Sequence, residues 1–139
     1  MRFLSFLAFI VIMTSCGDDE SLSESIVGTW QLETIAINSC PDSANNLAAV
    51  SADSDGCAIL NGTMVCQTVT FSADGSLGNR SVTDGVVQLQ SRTYTVDEGS
   101  MQVTSCDNNN NCSTISVLDG RISLSSQFGD CIIISTYVK

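Results

Sequence analysis

Histidine is absent from the 139-residue chain. That removes Ser-His-Asp triads, Cys-His pairs and imidazole metal sites at a stroke. Positive charge is scarce, with five Lys and Arg against fifteen Asp and Glu and a net charge of −10. Such a surface repels phosphate backbones, so nucleic acid is not an expected partner. There is no Cys-x-x-Cys, and the cysteine gaps suit no common zinc site. Asp53-Ser54-Asp55-Gly56 places Ser51 and Gly62 where a calcium-binding EF-hand loop needs acids, so it reads as a turn. The carboxylate pairs Asp18/Asp19 and Asp97/Glu98 fall in a linker and a turn, where acids are solvated rather than catalytic. The expectation is a protein that is not an enzyme and carries neither metal nor cofactor.

Long apolar runs are also missing. The longest, Phe3 to Met13, has eleven residues and as a helix would span only ~16 Å of a ~30 Å bilayer core. It follows the basic start Met1-Arg2 and leads through the small residues Thr14 and Ser15 to Cys16, the layout of a secretory signal peptide. Met13-Thr14-Ser15-Cys16 resembles the lipobox of bacterial lipoproteins. The resemblance implies cleavage before Cys16, acylation of that cysteine, and stable membrane attachment through several acyl chains. Gly17-Asp18-Asp19-Glu20 is similar to an acidic signal that sends some Gram-negative lipoproteins to the cell surface. The expected layout is therefore a signal peptide over 1–15, an acidic, flexible tether over 16–25 and a single domain over 26–139. The expected location is the outer membrane or cell surface.

Cysteine parity agrees with this layout. Seven cysteines would leave an odd thiol in a secreted protein. Assigning Cys16 to lipid leaves Cys40, Cys57, Cys66, Cys106, Cys112 and Cys131, an even set suited to three disulfides in an oxidising compartment. Cys106 and Cys112 bracket the polar run Asp107 to Asn111 and are the first pair expected. The other four leave three pairings open. Removal of 1–15 would take Arg2 with it, leaving four basic residues against fifteen acids, or −11. The remaining chain is long enough for one domain, small enough that disulfides would help it stand.

After Ile26 the organising signal is alternation. Val65, Val69 and Phe71 share one parity against Thr68, Thr70 and Ser72. Met101 goes with Val103, Ile115 with Val117, and Ile122 with Leu124 and Phe128. Period two with β-branched residues means half-buried strands. Asp74-Gly75, Asp84-Gly85, Glu98-Gly99, Asp119-Gly120 and Gly129-Asp130 supply hairpin turns between them. In the first strand Trp30 and Leu32 have one parity and Ile35 and Ile37 the other, which a bulge near Thr34 would reconcile. Ser39 to Gly62 holds the single proline, Pro41, and reads as an irregular excursion pinned by Cys40 and Cys57. The predicted fold is all-β: an antiparallel up-and-down barrel of about eight strands, closed because closure removes exposed edges. A two-sheet sandwich is the alternative.

The opening strand Ile26-Val-Gly-Thr-Trp-Gln-Leu-Glu-Thr-Ile35 resembles that of lipocalins and bacterial lipocalin-like lipoproteins, where Gly-x-Trp begins the barrel. Gly28 and Trp30 match those two positions. The likeness implies a barrel base closed by the Trp30 indole, with a basic side chain from the last strand over the ring. That residue is arginine in lipocalins; here the last strand offers only Lys139, and Arg121 lies one hairpin earlier. Trp30, Phe71, Tyr94, Phe128 and Tyr137 read as core. The function implied is binding of a small hydrophobic or amphiphilic ligand, in an apolar cavity of ~300 Å³ or more at the open end. Its ligand contacts cannot be assigned to residues from the sequence. The competing functions are protein recognition, of the protease- or lysozyme-inhibitor type, and a structural surface lipoprotein.

Overall fold

The computed structural model describes residues 21–139; Cys16, the signal-peptide assignment and the acidic signal lie outside the described residues, as does the side chain of Phe128. The elements are helix α1 (Leu22–Ile26), strands β1 (Gly28–Asn38), β2 (Leu47–Ser51), β3 (Cys57–Leu60), β4 (Thr63–Phe71), β5 (Ser76–Thr83), β6 (Val86–Asp97), β7 (Gln102–Cys106), β8 (Cys112–Leu118), β9 (Arg121–Phe128) and β10 (Cys131–Val138), with a 3-10 turn at Ser43–Asn45. Neighbouring strands pair antiparallel in sequence order from β4 to β10, β10 pairs with β1, and β1 pairs with β4. Eight strands thus close an up-and-down barrel, and the sandwich alternative falls.

The closing seam is split. The first half of β1, Gly28 to Gln31, pairs with Phe71 to Thr68 of β4. Beyond that point the two strands part, and each takes a new neighbour. Residues 34–37 of β1 pair with β2, while Thr63 to Cys66 of β4 pair with β3. The excursion Ser39–Gly62 is therefore less irregular than its proline and length suggest. Two segments of it, β2 and β3, join the sheet, because two backbone edges opened by the parting seam need partners. Eight strands ring one end, the base, and ten line the other, the mouth.

The bulge in β1 lies where the register against β10 shifts, between Leu32 and Thr34. It lets both Leu32 and Ile35 reach the interior, where each is 2% exposed. The core formed with them includes Val69, Phe71, Leu77, Val103, Ile115, Ile122 and Tyr137. Phe71 and Tyr94 meet edge to face at 5.0 Å, and the Tyr94 hydroxyl donates to the Ser72 carbonyl at 2.8 Å. Met101 does not join Val103 inside. It sits at positive φ in the β6–β7 turn and is exposed.

The last residues of the expected flexible tether are ordered onto the barrel. Ser21 and Glu24 form a reciprocal capping box on α1. Glu98, from the β6–β7 turn, accepts the backbone N–H groups of Ser23 and Leu22 at 2.8 and 3.0 Å. Hydrogen bonding from Ser23 and then the Leu22 N–H holds the Glu98 carboxyl below its ordinary range. Leu22 and Ile26, four residues apart and so on one helical face, are both buried and cover the base. A polar-looking serine-rich segment conceals this pair because five residues are too few to show a period.

Candidate functional site

The two ends of the barrel differ in chemistry, and each sequence-predicted site residue among the described ones belongs to one of them. Gly28 and Trp30 lie at the base. The Trp30 indole is 3% exposed, and its N–H donates to the Ile26 carbonyl at 2.8 Å, which meets the condition for burying that ring. Lys139 lies over it, with Nζ 5.1 Å from the ring centroid and donating to the Ser25 carbonyl at 2.5 Å. The position where the family resemblance implies an arginine is therefore taken by this lysine. Arg121 instead forms an exposed, two-pronged pair with Glu33 at 2.6 and 2.8 Å. Gly28 has φ +135°, and a Cβ there would come within 3.3 Å of the Lys139 side chain. The backbone conformation there favours glycine. The base is thus closed by a plug of α1, Trp30 and Lys139.

The six cysteines sit on the mouth side. Cys106 and Cys112 are bonded across the β7–β8 hairpin, Cys57 and Cys66 across β3–β4, and Cys40 to Cys131 at the start of β10. The excursion is consequently pinned at its two ends to different barrel strands rather than to itself. Three disulfides match the cysteine usage of an oxidising compartment.

Between these disulfides and the core lies a cavity of about 650 Å³. Its floor is partly apolar, with Val69, Leu77, Leu124 and Ile133, and Tyr137 beside them. The Tyr137 hydroxyl donates to Gln67 Oε1 at 2.8 Å, and burial pushes its pKa up to about 12. The walls are polar. Asn79 and Ser81 of β5, Gln88, Gln90 and Arg92 of β6, and Ser126 of β9 all face it. Gln88 and Gln90 point inward yet are exposed, so the cavity opens to solvent at the mouth.

The wall chemistry departs from the apolar cavity that the sequence suggests. In β6 the alternation is inverted: Val87 and Leu89 are 52% and 75% exposed on the outside, while Gln88, Gln90 and Arg92 line the interior. Two constraints impose this parity. Tyr94 must point inward to meet Phe71, and the Asp84-Gly85 turn fixes the register with Val86 opposite Thr83. The signal was present in the sequence, since counting back by twos from Tyr94 reaches Arg92, Gln90 and Gln88. An apolar-means-inside reading of Val86 to Leu89 hides it.

Two polar atoms at this site are buried without a hydrogen-bond partner: Ser105 Oγ and Asn79 Oδ1. Ser105 is 1% exposed, and both residues face the cavity. At the rim, the β7–β8 loop is organised around Asp107. Its Oδ1 accepts the N–H groups of Asn109 and Asn111 at 2.8 and 2.9 Å, and its Oδ2 accepts from the Asn111 amide at 3.0 Å. These bonds, from Asn111 above all, with the Arg92 charge adding to them, hold the Asp107 carboxyl below its ordinary range. Asp53 organises its own turn in the same way, accepting from Asp55 and Cys57 at 2.9 Å. Among the described residues no group of acids and cysteines is arranged to hold a metal ion. Comparison of the chain with protein-family models, with curated proteins and with solved structures finds no match.

Proposed function

We propose that this chain is a lipid-anchored, lipocalin-like carrier that holds a small amphiphilic ligand in the mouth of its barrel. The observation that carries the reading is the open cavity of about 650 Å³, within the ~300–1,000 Å³ of small-molecule sites. An eight-stranded barrel otherwise fills its interior with side chains, and here the ten-strand mouth does not. A ligand without polar groups is a poor match, because it would strip water from the wall carboxamides and serines and leave them unpaired.

The topology suits an anchor at Cys16. The chain enters the barrel through α1 at the base, so a tether leading from Cys16 would attach the domain base-first and point the mouth away from the membrane. The disulfides suit passage into an oxidising compartment, as the lipobox-like Met13-Thr14-Ser15-Cys16 implies.

The test is native mass spectrometry of the full chain extracted from its own membrane. An adduct that is retained in the native spectrum and lost on denaturation is the expected result, with acyl mass on the N-terminal Cys16 peptide. A chain with no adduct in any preparation would overturn ligand carriage and favour a protein partner for the disulfide-tied loops.

A further inference from the structure

We infer that the polar head of the ligand is a hydroxyl-rich acid of the sugar-acid class, its hydroxyls seated on Asn79 and Ser105 and its carboxylate on Arg92. The inference rests on the carrier reading above and narrows it to a chemical class. The buried, unpartnered Ser105 Oγ and Asn79 Oδ1 are the first argument. Buried polar groups are normally paired, and two unpaired ones on residues that line the same cavity mark positions that a ligand completes. Asn79 Oδ1 can only accept, so the ligand must donate there; Ser105 can donate or accept. A hydroxyl meets both requirements, whereas an ether, ester or hydrocarbon meets at most one.

The composition of the walls points the same way. Gln88 and Gln90 add carboxamides that each offer donors and an acceptor on one rigid plane. That pattern matches adjacent hydroxyls, which also donate and accept side by side. Among the described side chains the aromatic that lines the cavity, Tyr137, is 2% exposed and offers no open ring face, so these side chains recognise a ligand by hydrogen bonds rather than stacking.

Charge supplies the last element. The domain has few cations: Lys139 covers Trp30, Arg121 is bound to Glu33, and Arg80 is exposed on β5. The fourth, Arg92, lines the cavity half-buried, and among the described residues no carboxylate stands within salt-bridge distance of it. The Asp107 carboxylate at the rim is occupied by its own loop. A guanidinium offers a planar fork that fits a carboxylate with two hydrogen bonds. An acid deep in a domain of net negative charge needs such a cation to enter at all.

The inference is tested by isothermal titration of the purified full chain with D-glucuronate, D-glucose and laurate at low ionic strength. Glucuronate is expected to bind most tightly. Arg92→Gln should weaken glucuronate by about ten-fold or more while leaving glucose unchanged, and Asn79→Ala should weaken both sugars. Laurate binding without either sugar would overturn the ligand class and leave the carrier reading intact. Equal binding of glucose and glucuronate would overturn the carboxylate seat. Silence with all three probes, together with no native adduct, would overturn both readings. The comparison among ligands uses the unaltered chain, so it decides the class even if a variant fails to fold.

Discussion

The base and the mouth of this barrel are built from the same strands but stabilised by different means. At the base, inward side chains are large and apolar, α1 covers them, and among the described residues their buried side-chain polar atoms have partners. Trp30 Nε1, the Tyr94 hydroxyl and Lys139 Nζ each donate to a named carbonyl. At the mouth, inward side chains are polar, some are exposed, and two buried polar atoms are unpaired. All three disulfides are on that side. The difference teaches how a domain of this size can keep an open interior. One end buries enough apolar surface to hold the fold, and covalent links keep the end that buries too little.

Trp30→Ala should produce the largest effect. It deletes a fully buried indole, leaves the Ile26 carbonyl without its donor and removes the ring beneath Lys139. Truncation of a buried Trp costs ~3–5 kcal/mol, and this one should fall near ~5. For a small domain that is a large share of total stability. Urea unfolding checks it through the midpoint at constant slope. A loss below about 2 kcal/mol would break the comparison, since the base would then not be where the stability resides.

Among the disulfides the comparison sharpens further. Cys40–Cys131 closes a sequence separation of 91 residues, whereas Cys106–Cys112 closes 6. On the chain-entropy account, replacing the first pair by serine should cost about 4.5 kcal/mol, and the second about 2.4 kcal/mol. Cys40–Cys131 also ties the β1–β2 excursion to the last strand, so its loss should widen the mouth as well as destabilise the chain. Denaturation of the two double-serine variants in parallel measures both costs. A larger cost for the short loop would mean that the mouth depends on its rim hairpin rather than on the long-range link.

The base was readable from sequence because it obeys local rules. Gly28 and Trp30 stand at a fixed spacing at the start of a strand, and Val65, Val69 and Phe71 alternate as a half-buried strand should. At the mouth, the Cys106–Cys112 bracket around Asp107 to Asn111 was a hairpin by the same local logic. The rest of the mouth was not readable, because its features come from long-range geometry. The parity of β6 is set by the contact of Tyr94 with Phe71, 23 positions away. The strands β2 and β3 exist because β1 and β4 part after Gln31 and Thr68, an event no window of sequence records. One base contact shares that origin: Lys139 stands over Trp30 only once the barrel has closed. Local periodicity describes the half of the molecule stabilised by a core, and closure decides the half that holds the cavity.

The smallest expected effect has the opposite sign. Ser105 is buried with its hydroxyl unpartnered, on the same strand as the fully buried Val103. An unpaired buried polar group costs ~1–3 kcal/mol relative to an apolar one of similar shape. Ser105→Ala should therefore stabilise the ligand-free chain by about 1 kcal/mol, read as a higher urea midpoint. Every truncation at the base should do the reverse. The same variant should bind D-glucuronate more weakly, because it removes one of the two seats. Stability gained together with affinity lost is the signature of a polar atom kept for a ligand rather than for the fold. A destabilised Ser105→Ala chain would show instead that the hydroxyl is already satisfied in the ligand-free state, and that the mouth is as complete as the base.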